Sequence, residues 1–474
     1  MSHPPIPQEL IQRIIQQLAS DKHTLKTASL VSSSFRQWCQ ELLFAHLTLT
    51  LTPQEPSRGS PFQDIIDRLE ASPTIGACFK SIRIEDSLYR NTHDALVNDP
   101  WVWLLHDKIF PRAFDLIRTE SIQKFSLAVV NFSMLNVLTL NSGYSWWCSL
   151  PRSAKAVITR ILQSPSLVHI ETTYLPPQVA ISLCWGNSVK RLDINTPRFD
   201  MASSKDELAI MEDTGGGSRR LQLETLAFSG ESERYFEGLE TLINYILDGN
   251  RSGRACVVNL KTVKKLKVSI SAIHEYRSLE KLASECHSLE ALALDTCCFA
   301  FDLQSWTAEM QTINFPMCPG LRKLFIRGPR TLVGRAAPPD ILQIVINSLR
   351  GMLAANVIED VHLFFRYNFV QIGSRIRELA FEENAVDTWC QPGPWSTLDE
   401  ILSDKVRFPM LKRVKIDSTA GVAVRRLVQG MDEMRRRTEE LMPNLKEQGL
   451  LELNLLVEGE WSYKGSARVT ENSG

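Results

Sequence analysis

One pattern of apolar and polar positions recurs along most of the chain, from residue 79 onward. It has the form apolar-x-x-apolar-x-apolar, with Leu, Ile, Val or Phe in nearly every apolar position. The pattern begins at Phe79, Ile122, Leu135, Leu167, Val189, Leu223, Val263, Leu289, Leu321, Ile358, Leu411 and Leu450. Because side chains alternate between the two faces of a strand, each motif predicts a short strand whose last two apolar positions are buried.

The segments between these motifs carry apolar residues at helical spacing. The stripes are Val157, Ile158, Ile161 and Leu162; Phe236, Leu239, Ile243, Ile246 and Leu247; and Leu342, Val345, Ile346, Leu349, Met352 and Leu353. A further helix is predicted to begin at Ser396, because Ser396-x-x-Asp399 has the form of a capping box. Strands that alternate with helices, mostly at spacings of 22 to 53 residues, predict parallel strands side by side with helices outside.

Two places interrupt this rhythm. Only 13 residues separate Ile122 from Leu135, which is too few for a helix with its turns. One of these two motifs is therefore false or belongs to an irregular insertion. Residues 87–120 contain no motif but include Trp101, Trp103 and Phe110, and we expect a helical insertion there.

The first fifty residues are organised differently, as three short helices. The first has a wide apolar stripe behind Pro7, made of Leu10, Ile11, Ile14, Ile15 and Leu18. Thr24 is the predicted N-cap of the second helix, and Ser32, Ser33 and Ser34 offer caps for the third. A unit of this size is too small to bury so much aliphatic surface by itself. Part of the stripe therefore faces either the rest of the chain or a partner.

The order of residues in this segment resembles the F-box. The matching positions are Ile6-Pro7-x-Glu9-Leu10-x-x-x-Ile14, then Leu18, Leu25, Ser29-Leu30-Val31-Ser32, Phe35-Arg36 and Leu43-Phe44. Ile6, Ser32 and Phe35 stand where the family more often has Leu, Cys and Trp. The resemblance implies docking to a Skp-type adaptor, and through it to the cullin and RING subunits of an SCF ubiquitin ligase. The residues implied in this docking, or in the fold behind it, are Pro7, Leu10, Ile14, Leu30, Val31 and Phe35. A three-helix cap without a partner is the alternative.

The rest of the chain resembles the degenerate leucine-rich-repeat domain of F-box proteins, particularly the fungal type. The expected fold class is α/β, with a three-helix F-box followed by an irregular leucine-rich-repeat solenoid. Such a solenoid has parallel strands on its concave face and helices outside. The predicted boundaries are an F-box at 1–50, a linker at 51–62, and a substrate-binding repeat domain at 63–474 with the helical insertion near 87–120.

Composition and charge narrow the function further. With 53 basic and 54 acidic residues the net charge is -1, so no overall field favours nucleic acid or an anionic membrane. We find no secretory signal or membrane-spanning run, and expect a cytoplasmic or nuclear protein with reduced, structural cysteines. Catalytic and metal-site motifs are missing, and the nine histidines lack metal-ligand spacing. We therefore expect a binding protein that is not an enzyme and needs no cofactor or metal.

The positions between the buried residues of each strand predict the binding face. They are Arg191, Asp193, Lys265, Lys267, Ala291, Ala293, Lys323, Phe325, Arg327, Asp360, His362, Arg413, Lys415 and Asp417. Basic residues outnumber acidic ones here, which suits an acidic or phosphorylated protein substrate. The predicted centre of the substrate site is Lys265, Lys267, Lys323, Phe325 and Arg327. The alternative is that the lysines only keep strand edges soluble.

Together these features predict the substrate-recognition subunit of an SCF-type ubiquitin ligase, with an unknown protein substrate. Two alternatives remain at this point. One is an F-box protein that docks the adaptor but serves only as an assembly scaffold. The other is a leucine-rich-repeat scaffold or inhibitor module that is not linked to ubiquitination.

Overall fold

The computed structural model describes fifteen parts of the chain. They are residues 6–51, 62–86, 109–128, 151–172, 181, 188–195, 221–229, 239–252, 258–270, 273–296, 318–332, 338–352, 356–368, 390–420 and 425–457. The motif at Leu135, the tryptophans at 101 and 103, Phe236 and Leu353 lie outside the described residues.

The described strands form a twelve-stranded sheet in which the strand order is that of the chain. They are β1 (His46–Leu51), β2 (Ser81–Asp86), β3 (Lys124–Ala128), β4 (His169–Thr172), β5 (Arg191–Asn195), β6 (Thr225–Ser229), β7 (Lys265–Ile270), β8 (Ala291–Thr296), β9 (Lys323–Leu332), β10 (Asp360–Asn368), β11 (Arg413–Ala420) and β12 (Leu451–Val457). Each strand from β2 to β5 is parallel to the one before it, and so is each from β7 to β12. The predicted parallel α/β arrangement is therefore confirmed.

Helices occupy most of the described connections between strands. They are α1 (Gln8–Gln17), α2 (Lys22–Ala28), α3 (Ser33–Leu43), α4 (Gln63–Ala71), α5 (Ile109–Asp115), α6 (Arg152–Leu162), α7 (Leu239–Ser252), α8 (Ile273–Glu285), α9 (Pro338–Arg350), α10 (Pro392–Ser403), α11 (Arg425–Leu441) and α12 (Pro443–Glu447). Short 3₁₀ turns lie at Pro73–Ala77, Thr119–Ser121 and Leu260–Thr262.

The chain divides into two compact units. The first comprises Met1–Ile194 with Asp200–Leu221 and Gly253–Val258, and the second comprises the remaining residues. In the first unit Ile82, Phe125, Ile170 and Leu192 are aligned across β2 to β5 and are buried. All four residues of the α6 stripe are buried as well, which confirms that predicted helix.

The second unit repeats this packing from β6 to β11. Six buried residues are aligned on neighbouring strands: Leu226, Leu266, Leu292, Leu324, Val361 and Val414. The described members of the stripes in α7 and α9 are buried too, as is Met352 just beyond the end of α9, and α9 packs against α10. Because the same positions of each motif supply the core on successive strands, the predicted strands at these motifs are confirmed.

Three details differ from the sequence-based prediction or go beyond it. Strand β1 is not part of the predicted series of motifs, yet His46–Leu51 pairs in parallel with β2. The prediction that Thr24 caps α2 is wrong, because Asp21 accepts hydrogen bonds from the backbone N–H groups of His23 and Thr24, both at 3.0 Å. Ser32 does cap α3, with its hydroxyl oxygen 3.2 Å from the N–H of Phe35.

The predicted capping box at Ser396 is wrong, and the reason is tertiary. Helix α10 begins four residues earlier, at Pro392, so Ser396 and Asp399 lie within it. Buried Asp399 instead accepts hydrogen bonds from the backbone N–H groups of Asn444 and Leu445, at 3.0 and 2.9 Å. Its carboxylate therefore satisfies the free N–H groups at the start of α12, a helix distant in sequence.

The predicted insertion near 87–120 is described only in its last part. There α5 forms a helix, and Phe110 is buried with its ring 5.2 Å from Phe62 and 4.8 Å from Phe114. Among the described cysteines, Cys39, Cys286, Cys318 and Cys390 are buried and unbridged. Burial raises the pKa of Cys286 to about 12, which suits a structural rather than a reactive thiol.

Candidate functional site

The three N-terminal helices share a very small core. Its fully buried members are Ile11, Ile15, Leu25 and Cys39, and Phe35, Trp38 and several leucines pack against them. Ile11 and Ile15 lie one turn apart on α1, so one side of that helix faces inward. The core uses only part of the apolar stripe that the sequence provides.

The rest of that stripe lies on the surface. Leu10 and Ile14, also one turn apart on α1, are each 50% exposed, and Ile6 is 57% exposed. Leu30 and Val31, in the turn between α2 and α3, are 78% and 70% exposed. Five large apolar side chains within 26 residues are thus at least half exposed, and exposed apolar patches are common at interaction sites.

The remaining two residues of the predicted adaptor-binding set, Pro7 and Phe35, contribute to the fold of the three helices. Pro7 precedes α1 as its N-cap, and its carbonyl oxygen accepts hydrogen bonds from the N–H groups of Leu10 and Ile11, at 3.1 and 3.2 Å. Phe35 is half-buried against the core of the three helices. Thus Leu10, Ile14, Leu30 and Val31 are available for contact, whereas Pro7 and Phe35 support the fold behind them.

The second candidate surface is the outward face of the second unit's strands. Register places Lys265, Ala291, Lys323, Asp360 and Arg413 side by side on β7 to β11. The next outward row contains Lys267, Ala293, Phe325, His362, Lys415 and Glu452. The third row contains Ser269, Asp295, Arg327, Phe364, Asp417 and Asn454. The predicted outward residues of these strands are therefore brought together on one surface.

Charges on β10 to β12 are matched by neighbouring side chains, and we name this region the paired strip. It comprises Asp360, His362, Arg413, Lys415, Asp417, Glu452 and Asn454. Arg413 donates two hydrogen bonds to Asp360, at 2.9 and 2.6 Å. Asp417 lies 2.7 Å from His362, 2.9 Å from Lys415 and 3.0 Å from the side-chain amide of Asn454. The charged side chains of this strip thus already have partners within the protein.

The contacts within the paired strip lower the pKa of the Asp417 carboxyl. Burial by itself raises its pKa, but the hydrogen bonds from His362, Lys415 and Asn454 outweigh burial and lower the pKa to about 2. Asp417 is therefore ionised at neutral pH, and its negative charge offsets the cations around it.

Strands β7 to β9 carry a different arrangement, which we name the alanine trough. Lys265 and Lys267 form one wall on β7, Ala291 and Ala293 form the floor on β8, and Lys323 and Phe325 form the other wall on β9. The three lysines are exposed, and no ion pair joins any of them to another residue in the described parts of the chain. The pKa of Glu359 is lowered mainly by the hydrogen bond from Lys412, and the positive charge of Lys323 makes only a minor contribution.

The other two residues of the predicted substrate site are already in contact with neighbours. Phe325 packs edge-on against the ring of His362, with 4.7 Å between the ring centroids, and is half-buried. Arg327 bonds to Asp295 at 3.2 Å, and its guanidinium lies 5.0 Å from the centroid of the Phe364 ring. Arg327 therefore lies at one end of the trough and is paired with Asp295. Among the described residues, the positive charges of the trough without an ion pair are those of the three lysines.

The first unit also matches charges on its outward positions. Arg191 and His169 both contact Asp193, at 2.9 and 3.0 Å, and Lys124 lies 3.7 Å from Glu171. Glu171, Asp295 and Glu452 were absent from the predicted binding face. They lie at outward positions of their strands, and reading alternate residues to the end of each strand would have found Asp295.

Comparison with models of protein families and with curated proteins found no match for this chain. No helix among the described residues is long and apolar enough to cross a membrane. Nor do the described side chains include three or more His, Cys, Asp or Glu residues placed to hold a metal ion.

Proposed function

We propose that this chain is the substrate-recognition subunit of an SCF-type ubiquitin ligase. In this proposal the three N-terminal helices are an F-box that docks a Skp-type adaptor. The repeat domain is a leucine-rich-repeat solenoid that binds a protein substrate on the strand face. The adaptor in turn connects the chain to the cullin and RING subunits.

The observation that carries the proposal is the exposed apolar surface at Leu10, Ile14, Leu30 and Val31. These residues occupy F-box positions in the sequence, and their side chains are at least half exposed. Removing a large aliphatic side chain from water stabilises a complex by about 1.5–3 kcal/mol. Burial of these four side chains against an adaptor would therefore contribute several kcal/mol to the free energy of binding.

The first test is binding of the full chain to a purified Skp-type adaptor, measured by size-exclusion chromatography and calorimetry. We expect a stoichiometric complex for the wild type. Replacing both Leu10 and Ile14 with Asp should weaken binding by about 100-fold or more, because two buried aliphatic contacts become buried charges. Leu30→Asp with Val31→Asp should have a similar effect.

The matched control is Val406→Asp with Met410→Asp. These apolar residues are 75% and 47% exposed but lie outside the three helices. We expect this control to bind the adaptor like the wild type. Absence of a wild-type complex would refute the F-box assignment, and equal loss in the control would show that binding does not depend on the helices.

The second test concerns ubiquitin transfer. Reconstituted with adaptor, cullin, RING subunit and a charged conjugating enzyme, the chain should promote ubiquitination of proteins that it captures. The Leu10→Asp and Ile14→Asp double variant should capture the same proteins but leave them unmodified. Capture without modification by the wild-type assembly would indicate a scaffold and contradict the ligase role.

A further inference from the structure

The lysines of the alanine trough require an explanation other than edge protection. Lysine at the edge of a sheet prevents association with other strands. However, β7 pairs with both β6 and β8, and β9 pairs with both β8 and β10. Lys265, Lys267 and Lys323 therefore lie on interior strands, where no free edge needs protection.

Elsewhere in the second unit, charged residues on neighbouring strands alternate in sign or form ion pairs. Immediately before the strands, Glu224, Lys264, Glu290, Arg322, Glu359 and Lys412 are consecutive in the backbone ladder, so acidic and basic residues alternate. Within the rows, Arg413, Lys415 and Arg327 each have an acidic partner. In the trough, the positions between the lysines are instead occupied by Ala291 and Ala293. The local cations thus face short, uncharged side chains.

The spacing of these cations fits an extended chain. Lys265 and Lys267 are alternate residues of one strand, so their Cα atoms are about 6.5–7 Å apart, the repeat of alternate side chains in any extended peptide. Lys323 is two strands from Lys265, a separation of about 10 Å. A segment lying over the alanines with acidic residues at alternate positions therefore places carboxylates near both walls.

The spread of the cations suits several carboxylates better than one phosphate. Lysine acts as a compact point charge toward either anion. Three lysines about 6.5–10 Å apart match single negative charges spaced along a segment rather than one compact phosphate. The nearest arginine on these rows, Arg327, is already bonded to Asp295. Phe325 offers an apolar contact beside the lysines.

We propose that the alanine trough binds an acidic, extended segment of a partner protein. Glu or Asp side chains of the segment contact Lys265, Lys267 and Lys323, and an apolar side chain packs on Phe325. That the partner is a ubiquitination substrate rests on the proposed function, whereas the binding itself does not.

The test uses the full chain and a short fluorescein-labelled peptide with Glu at alternate positions and one Leu among them. Fluorescence anisotropy should detect saturable binding that weakens as salt rises from about 0.05 to 0.5 M, because screening shortens the range of exposed charges. Replacing all three lysines with Gln should weaken binding about tenfold or more, since each exposed ion pair is worth a factor of about two to three. Phe325→Ala should weaken it less.

The matched control removes the same charge elsewhere. Lys281, Lys412 and Lys446 are exposed lysines outside the trough, and replacing all three with Gln should leave peptide affinity within about twofold of the wild type. Circular dichroism and thermal unfolding establish that both triple variants are folded.

Three results would overturn the inference. These are no binding of the Glu peptide to the wild type at millimolar concentration, equal binding of a peptide with Gln in place of Glu, and equal loss in the two triple variants. A peptide that binds only when it carries phosphoserine would also overturn it. Because the assay contains no adaptor, failure of adaptor docking leaves this result unaffected, and the two proposals can fail separately.

Discussion

The paired strip and the alanine trough lie on the same face of neighbouring strands, but they differ in whether their charged side chains have ion-pair partners. In the paired strip, Asp417 gathers His362, Lys415 and Asn454 around one carboxylate. In the trough, Ala291 and Ala293 lie between the lysines, and the carboxylate in the same row as Asp417, that of Asp295, is bonded to Arg327. Both regions lie on parallel strands with buried aliphatic residues beneath them. One face of the sheet therefore carries both internally paired charges and, in the trough, lysines that no ion pair joins to another described residue.

The largest expected effect tests whether the alanine trough and the paired strip lie over equivalent buried cores. Leu292→Ala beneath the trough and Leu363→Ala beneath the paired strip should each lower the free energy of unfolding by about 2–5 kcal/mol, because both side chains are buried and leave a cavity. Urea unfolding followed by circular dichroism measures the change. A cost below about 1 kcal/mol for only one of them would mean that the two regions do not rest on equivalent cores.

A smaller effect is expected from breaking the paired strip. Asp417→Asn should lower the free energy of unfolding by about 1–2 kcal/mol at pH 7, a value reduced for solvent screening of a half-buried group. The pKa of Asp417 is about 2 in the folded protein against 3.8 ordinarily, so its stabilisation is complete well above pH 4 and is lost as pH falls toward 2. The difference between wild type and variant should therefore shrink between about pH 5 and pH 3. A difference that grows on acidification would contradict the sign of this pKa shift.

The smallest change in stability is expected from converting the trough into a paired surface. Ala291→Glu places a carboxylate between Lys265 and Lys323 in the register of the sheet. We expect an increase in the free energy of unfolding of about 0.3–1 kcal/mol, as for other exposed cross-strand ion pairs. The same substitution should abolish binding of the Glu peptide. Ala291→Gln is the control, and it should change neither quantity by a comparable amount.

Much of the fold was predictable because its signal is local and repeated. Each motif places two apolar residues on alternate positions, so burial of Leu292 and Leu294 follows from strand geometry alone. The helix stripe from Val157 to Leu162 is predictable for the same reason. Strand β1 was missed because it follows the third helix directly and was interpreted as the end of the helical segment.

The sequence predicted which residues lie on the candidate site, but not which of their charges are paired with a neighbouring side chain. Alternation along the strands identified Lys265, Lys267, Lys323, Phe325 and Arg327 as outward residues. Whether each charge has a partner depends on which strands are neighbours, and this is decided by the register of β7 to β12. Register therefore separated Arg327, which Asp295 neutralises, from the three lysines.

By itself, the sequence determined the alternation of strands and helices, the buried layer, and the excess of apolar side chains on the N-terminal helices. These features depend on residues within one or two turns or on one strand, so periodicity reveals them. Only the tertiary structure decided that Asp399 caps a helix more than forty residues away, that Asp417 collects three partners from three strands, and that alanines separate the lysines of the trough. The physical reason is that hydrogen bonds and ion pairs act over a few ångströms, and the side chains they join here come from distant parts of the chain.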